Sequence, residues 1–230
     1  MAEKYYAMVI TPHADDAEFG VAGTVSKWVR DGKKVVYVVC TNGNKGTDDP
    51  KIKPDKLAEI REKEQLAAAK VLGVDEVVFL KHDDQSLEET PEFRKELVRQ
   101  IRIYRPDVVV TTDPYHRYIW HHDHRITGQV VLDAVFPYAR DLLSYPDLIK
   151  EGLQPHKVKE VMFWGAEQPN YFSDITDTYD TKIAALRCHH SQVGNFSKEW
   201  TDFLRKRYEG FAQGKGFKLA EAFYRAEIWW

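Results

Sequence analysis

The chain has 230 residues, 43% hydrophobic and 30% charged, with 33 Lys and Arg against 36 Asp and Glu. That apolar fraction supports a real core and excludes a disordered polymer, and a net charge of -3 removes the electrostatic footprint of a nucleic-acid binder. The longest apolar run, 35–40, is too short to span a bilayer, and two cysteines, Cys40 and Cys188, exclude a disulfide framework or a four-thiolate zinc site.

Apolar runs and amphipathic stretches alternate along the first two-thirds of the chain. Residues 7–11 read as a strand stopped by Pro12. Residues 23–31 read as a helix with Val25, Trp28 and Val29 on one face and Gly32 at its end. Residues 34–41 hold Val-Val-Tyr-Val-Val-Cys, the pattern of a strand buried on both faces. A Gly-, Asn- and Asp-rich loop, 42–53, precedes a long helix at 54–72, with Leu57, Ile60, Leu66 and Ala69 expected inward and Gly73 beyond its end. A strand at 76–80 follows. Thr90 and Pro91 then open a helix running to about Tyr104. A fourth strand, 107–112, leads into a loop with Asp113, Pro114 and four histidines, and a helix at 125–139. In the last third, 158–164 and 171–175 read as strands and 178–188 and 198–207 as helices.

This order predicts an α/β fold, a Rossmann-like three-layer αβα sandwich with a mostly parallel sheet and right-handed crossovers. No linker or repeat divides it, so 1–230 is expected to form one domain. The N-terminus lacks the charged and apolar regions of a signal peptide, so a cytoplasmic protein is expected. Ligands of such sheets bind beyond the carboxyl ends of the strands. The loops after Thr11, Thr41, Leu80 and Thr112 should therefore converge.

Two of those loops are rich in ligating groups. The first packs His13, Asp15, Asp16 and Glu18 into one turn. The three carboxylates repel unless a cation or the positive end of the next helix compensates them. Helix capping would account for Asp15 and Asp16 as well. The second loop holds His121, His122, Asp123 and His124. There one imidazole can ligate while another stays free for proton chemistry, and Asp123 can orient a ring from behind. Two histidines and a carboxylate, with water in the fourth position, make a catalytic zinc arrangement, and other divalent ions accept the same donors. His116 and His122 have no distinguishing spacing and are expected to be bystanders.

Together these motifs resemble a known family. Pro12-His13-Ala14-Asp15-Asp16-Ala17-Glu18 resembles the Pro-His-Pro-Asp-Asp-x-Glu signature of the LmbE-like (PIG-L) zinc de-N-acetylases, and His121-His122-Asp123-His124 resembles their His-x-Asp-His signature. Arg61 to Glu64 with Leu72-Gly73, Asp84 to Leu87, and His189-His190-Ser191-Gln192 match further motifs, over about 5–192. Asp113-Pro114 and Gly152 to His156 are similar to the diacetylchitobiose deacetylase branch. Ala14 and His122 replace prolines common in the family, which changes scaffold rather than ligands.

The resemblance implies hydrolysis of an N-acetyl group on an N-acetylglucosamine-containing sugar. It implies zinc on His13, Asp16 and His124, and Asp15 as general base. It further implies a protonated His121, oriented by Asp123, at the oxyanion, and Arg61, Asp84 and His189 toward substrate. It carries the expectation of a homo-oligomer, hexameric or trimeric. A metal-dependent phosphohydrolase shares the His-Asp pair but belongs to an all-helical class, and a non-catalytic sugar-binding protein would need no metal. Tyr115, Tyr118 and Trp120 flank the histidine loop and suit a sugar platform, a core or an interface. Trp229 and Trp230 are expected to dock.

Overall fold

Side-chain alternation along the first strand shows how the sheet is covered. In β1 (Ala7–Thr11), Met8 and Ile10 enter one apolar cluster and Ala7 and Val9 another, and none is exposed. A strand with no polar face needs a layer on each side. In the computed structural model, which describes residues 4–194 and 197–229, helices supply both layers.

From β1 the chain runs through α1 (Asp16–Gly20) and α2 (Ala22–Arg30) to β2 (Val35–Thr41), then through α3 (Pro54–Leu72) to β3 (Glu76–His82). It returns by α4 (Pro91–Tyr104) to β4 (Val108–Thr112). Next come α5 (His122–Asp133), a π-helical turn (Ala134–Tyr138), α6 (Pro146–Lys150) and β5 (Glu160–Trp164). Then follow β6 (Tyr171–Asp174), α7 (Tyr179–Leu186), α8 (His190–Val193), α9 (Lys198–Ala212) and β7 (Ala220–Glu227).

The sheet order is β3-β2-β1-β4-β5-β7-β6. Strands β1 to β5 run parallel, and β7 is antiparallel to β5 and β6. The expected α/β sandwich with a mostly parallel sheet is therefore present. α2 and α3 pack on the Ala7 and Val9 face, α4 and α5 on the Met8 and Ile10 face. The chain leaves β1 in one direction and returns to β4 on its other side. The loops after β1 and β4 thus diverge to opposite faces and open a crevice between adjacent strand ends.

Several elements differ from the sequence expectation. α5 starts at His122 rather than 125, because His121 Nδ1 accepts from Asp123 N (3.3 Å) and caps the helix. Asp123 and His124 therefore stand on a rigid helical turn. The helix also ends at Asp133, giving way to the π turn that carries Pro137. Leu57 and Ala69 are buried as expected, but Leu66 is 47% exposed, and α3 also buries Arg61, Glu64, Gln65, Ala68 and Leu72. The polar part of that face lies beyond the strand ends, where a core stripe is not needed. β7 had no strand signal in its Glu- and Ala-rich sequence; pairing with β5 and β6 overrides propensity there.

β7 also buries an ion pair. Lys182 Nζ donates to Glu221 Oε1 (2.6 Å) and to Phe19 O (2.8 Å), and both side chains are almost fully buried. Glu221 accepts from Gly23 N, Thr24 N and Thr24 Oγ1 (2.9, 2.8 and 2.6 Å). The last third of the chain therefore anchors α1 and the start of α2. On the other side, a Cβ at Gly128 would lie 2.7 Å from Thr112 O, so the glycine lets α5 press onto the end of β4. Trp229 is 80% exposed, and Trp230 lies outside the described residues. Among the described residues no helix is long and apolar enough to cross a membrane.

Candidate active site

The turn after β1 is held open by Asp15, whose φ of 84° lies in the left-handed region. Aspartate tolerates this better than most residues, at some cost. Asp16 follows at the start of α1. Its Oδ2 accepts from His13 N (3.1 Å) and lies 3.1 Å from His13 Nδ1 and 3.2 Å from His124 Nε2. One carboxylate oxygen thus faces two imidazoles supplied by neighbouring strand ends.

The opposite nitrogen of His13, Nε2, lies 3.1 Å from Asp123 Oδ2 and 3.1 Å from Asp84 Oδ1. Asp123 is fully buried and also accepts from Gln85 N (2.7 Å) and Leu87 N (3.3 Å). The Asp123 carboxylate therefore orients His13. His121 meets the backbone N–H of Asp123 rather than its carboxylate, with Nε2 4.0 Å from Asp84 Oδ1, which differs from the expected pairing. His121 is the most open ring of the cluster, its side chain 41% exposed. The three rings of His13, His121 and His124 stand 4.5 to 5.3 Å apart.

Among the described residues, two overlapping donor sets could hold a cation: His13, His121 and His124, and His13, Asp84, His121 and Asp123, each within 4.8 Å. His13, Asp16 and His124 form a third group of donors. Its N to O spacings of 3.1 and 3.2 Å approach the roughly 3.3 Å edge of a zinc tetrahedron with ordinary bond lengths. Asp123, in contrast, is already engaged by two backbone donors, as expected of a group that fixes a ligand from behind.

Charge is finely divided among these groups. Burial opposes a charge on His13, but hydrogen bonds with Asp123, Asp16 and Asp84 win and raise it to about 11. Burial likewise opposes the Asp16 charge, yet His124 and His13 hold that carboxylate well below its usual range. Asp15 moves the other way: burial, then repulsion from Asp16 and Glu18, pushes it well up. Burial and the neighbouring His13 and His124 push His121 down. Adjacent carboxylates with opposite shifts are the arrangement in which one group ligates and the other handles protons.

The remaining expected residues lie around this centre. Asp84 is almost fully buried and lies 3.8 Å from Arg61 Nη1. Arg61 is buried too: its Nη2 donates to Gly46 O (2.6 Å), and a Cβ at Gly43 (φ 64°) would collide with it. His189 is fully buried behind the turn, with Nε2 3.1 Å from Glu18 Oε2. His116 and His122 bond to Gly165 O and Leu87 O, outside the cluster. Sequence reasoning missed Gln65, which accepts from Asp15 N (3.3 Å) and donates to Glu18 Oε1 (2.9 Å). Its signal was present: Arg61, Gln65 and Ala68 share one helical face.

Tyr115, Tyr118 and Trp120 are 75 to 90% exposed, so they belong to no core. A cavity of about 280 Å³, lined by Phe19, His116, Trp164, Arg207 and Phe211, touches none of the clustered ligands.

The fold and this cluster define an α/β protein with a His/Asp centre at the sheet's switch point. The family model for GlcNAc-PI de-N-acetylase (PIG-L) matches residues 8–135, and the chain belongs to that family. It is 37% identical over 215 residues to diacetylchitobiose deacetylase of Thermococcus kodakarensis, covering 93% of this chain and 80% of that protein. It is 32% identical over 228 residues to mycothiol S-conjugate amidase of Streptomyces coelicolor, covering 90% and 74%. Among solved structures, the N,N'-diacetylchitobiose deacetylase of Pyrococcus horikoshii with its inhibitor MPG superposes with a TM-score of 0.91 at 32% identity, covering 96% and 84%.

Proposed function

We propose that this protein is a zinc-dependent deacetylase that removes the N-acetyl group from a small N-acetylglucosamine-containing sugar such as diacetylchitobiose. The observation that carries this reading is the shared Asp16 oxygen between His13 and His124, with Asp15 beside it, its carboxyl pushed up by burial and by Asp16 and Glu18. Relatives named as diacetylchitobiose deacetylases and as a mycothiol S-conjugate amidase support it.

His13, through Nδ1, Asp16 and His124 would hold the zinc ion. Bound there, it supplies a Lewis acid and makes water more acidic. Asp123 accepts from His13 Nε2, with Asp84 Oδ1 3.1 Å from the same nitrogen, and this leaves Nδ1 as the ligand atom. Asp15 takes a proton from the attacking water. The new C–O bond gives a tetrahedral oxyanion, and neutral His121 stabilises it through Nε2–H, since its Nδ1 accepts from Asp123 N. Asp15 then returns the proton to nitrogen as the C–N bond breaks, releasing acetate and a free amine. Tyr115, Tyr118 and Trp120 offer a platform for a sugar ring. The family resemblance adds the expectation of a cytoplasmic homo-oligomer, which light scattering tests for the assembly.

Acetate release from diacetylchitobiose, N-acetylglucosamine and a glucosaminyl conjugate is expected to vanish on chelation and return with zinc. No release with zinc bound would overturn the substrate class. No release and no bound zinc would favour a sugar-binding protein. His124→Ala is expected to reduce bound zinc from one per chain to almost none, and stoichiometric zinc in this variant would overturn the ligand set.

A further inference from the structure

We infer that Gln192 is a positioning residue whose carboxamide holds the Asp15 carboxylate in its working orientation. The inference rests on the reading of Asp15 as the base. The Gln192 amide has one orientation that satisfies both of its ends. Its oxygen then accepts from Arg61 Nε (2.9 Å), and its Nε2 donates to Asp15 Oδ2 (2.7 Å), with Asp15 Oδ1 (3.3 Å) and Ala14 O (3.2 Å) also within reach.

The segment leading into Gln192 is fastened at two points. His189 Nε2 pairs with Glu18 Oε2 at 3.1 Å, and both side chains are fully buried. Ser191 N and Oγ donate to the two oxygens of Glu64 (2.8 and 2.5 Å). His189, Ser191 and Gln192 are thus tied to α1, to α3 and to the catalytic turn itself. Arg61, the donor behind the amide, is clamped by Gly46 O and by the close backbone of Gly43. The amide therefore cannot turn over without leaving Arg61 Nε unpaired, and its donor end stays on Asp15.

Asp15 needs such support. It carries a left-handed φ without being glycine, and such residues persist only where surroundings over-determine them. Gln65 holds its backbone N–H (3.3 Å). Gln192 holds its side chain. Together they fix both the peptide and the carboxylate plane. A reacting group released by about an ångström loses on the order of 100-fold in rate.

The test combines kinetics with crystallography of metal-free protein. Gln192→Ala is expected to lower kcat by about 10- to 100-fold, with KM and zinc content near wild type, and its crystal structure is expected to show Asp15 rotated. Wild-type kcat, a loss confined to KM, or an unmoved Asp15 would overturn the inference. If Gln192→Ala fails to fold, Gln192→Glu keeps the shape and the acceptor for Arg61 but turns an acceptor toward Asp15; it is read by the same criteria. A wild-type protein that releases no acetate would overturn the proposed function alone, since the orientation of Asp15 remains readable.

Discussion

Asp15→Asn lowers turnover by about 10²- to 10⁴-fold, the range for loss of a positioned acid-base group, while bound zinc stays at the wild-type level. Asparagine keeps the shape of the side chain but cannot take a proton from water. Asp16, the neighbouring donor, is untouched. Single-turnover kinetics and metal analysis on the same sample check both halves. Unchanged turnover would remove Asp15 as the base, and lost metal would make it a ligand.

The same substitution has a stability signature of opposite sign. Burial and repulsion from Asp16 and Glu18 raise the Asp15 pKa in the folded chain. The unfolded chain therefore releases this proton first as pH rises, and folding stability falls between the ordinary carboxylate range and the raised folded value. Asn does not titrate. Metal-free Asp15→Asn is thus expected to melt higher than wild type at pH 7, with the gap closing at pH 4. Calorimetry at the two pH values reads this directly. An equal or lower melting temperature at pH 7 would mean that the turn gains stability from the Asp15 charge.

Lys182→Met costs about 3 kcal/mol, the lower end for breaking a buried pair, and lowers Tm by roughly 6–12 °C. The lower end applies because Glu221 keeps Gly23 N, Thr24 N and Thr24 Oγ1 as donors. The loss is felt at the active site too, since Lys182 also holds Phe19 O at the end of the α1 turn. Adding Glu221→Gln removes the orphaned charge and is expected to recover part of the Tm. An unchanged Tm in Lys182→Met would show that the pair does not anchor α1 and α2.

The outline of the centre was readable in the amino-acid order because its parts are local. His13 and Asp16 share one turn, His121 and His124 another, and each turn follows an apolar run whose period is unmistakable. The buried β2 run and the Thr90-Pro91 helix start are likewise written in neighbouring residues. The C-terminal strand was not readable, because β7 exists through its pairing with β5 and β6 and buries Glu221 where alternation predicts an apolar residue.

Partner choice lay beyond the sequence for the same reason. Asp123 turns to His13, 110 positions away, and not to its neighbour His121. Glu18 joins Gln65 and His189, 47 and 171 positions away. Arg61 and Gln192 meet only because α3 and α8 converge on the turn after β1. The sequence by itself determined the layered α/β fold, the histidines and carboxylates at the strand ends, and the family. Which donor faces which acceptor was decided only in the tertiary structure, where strand order and helix docking bring distant side chains within bonding distance.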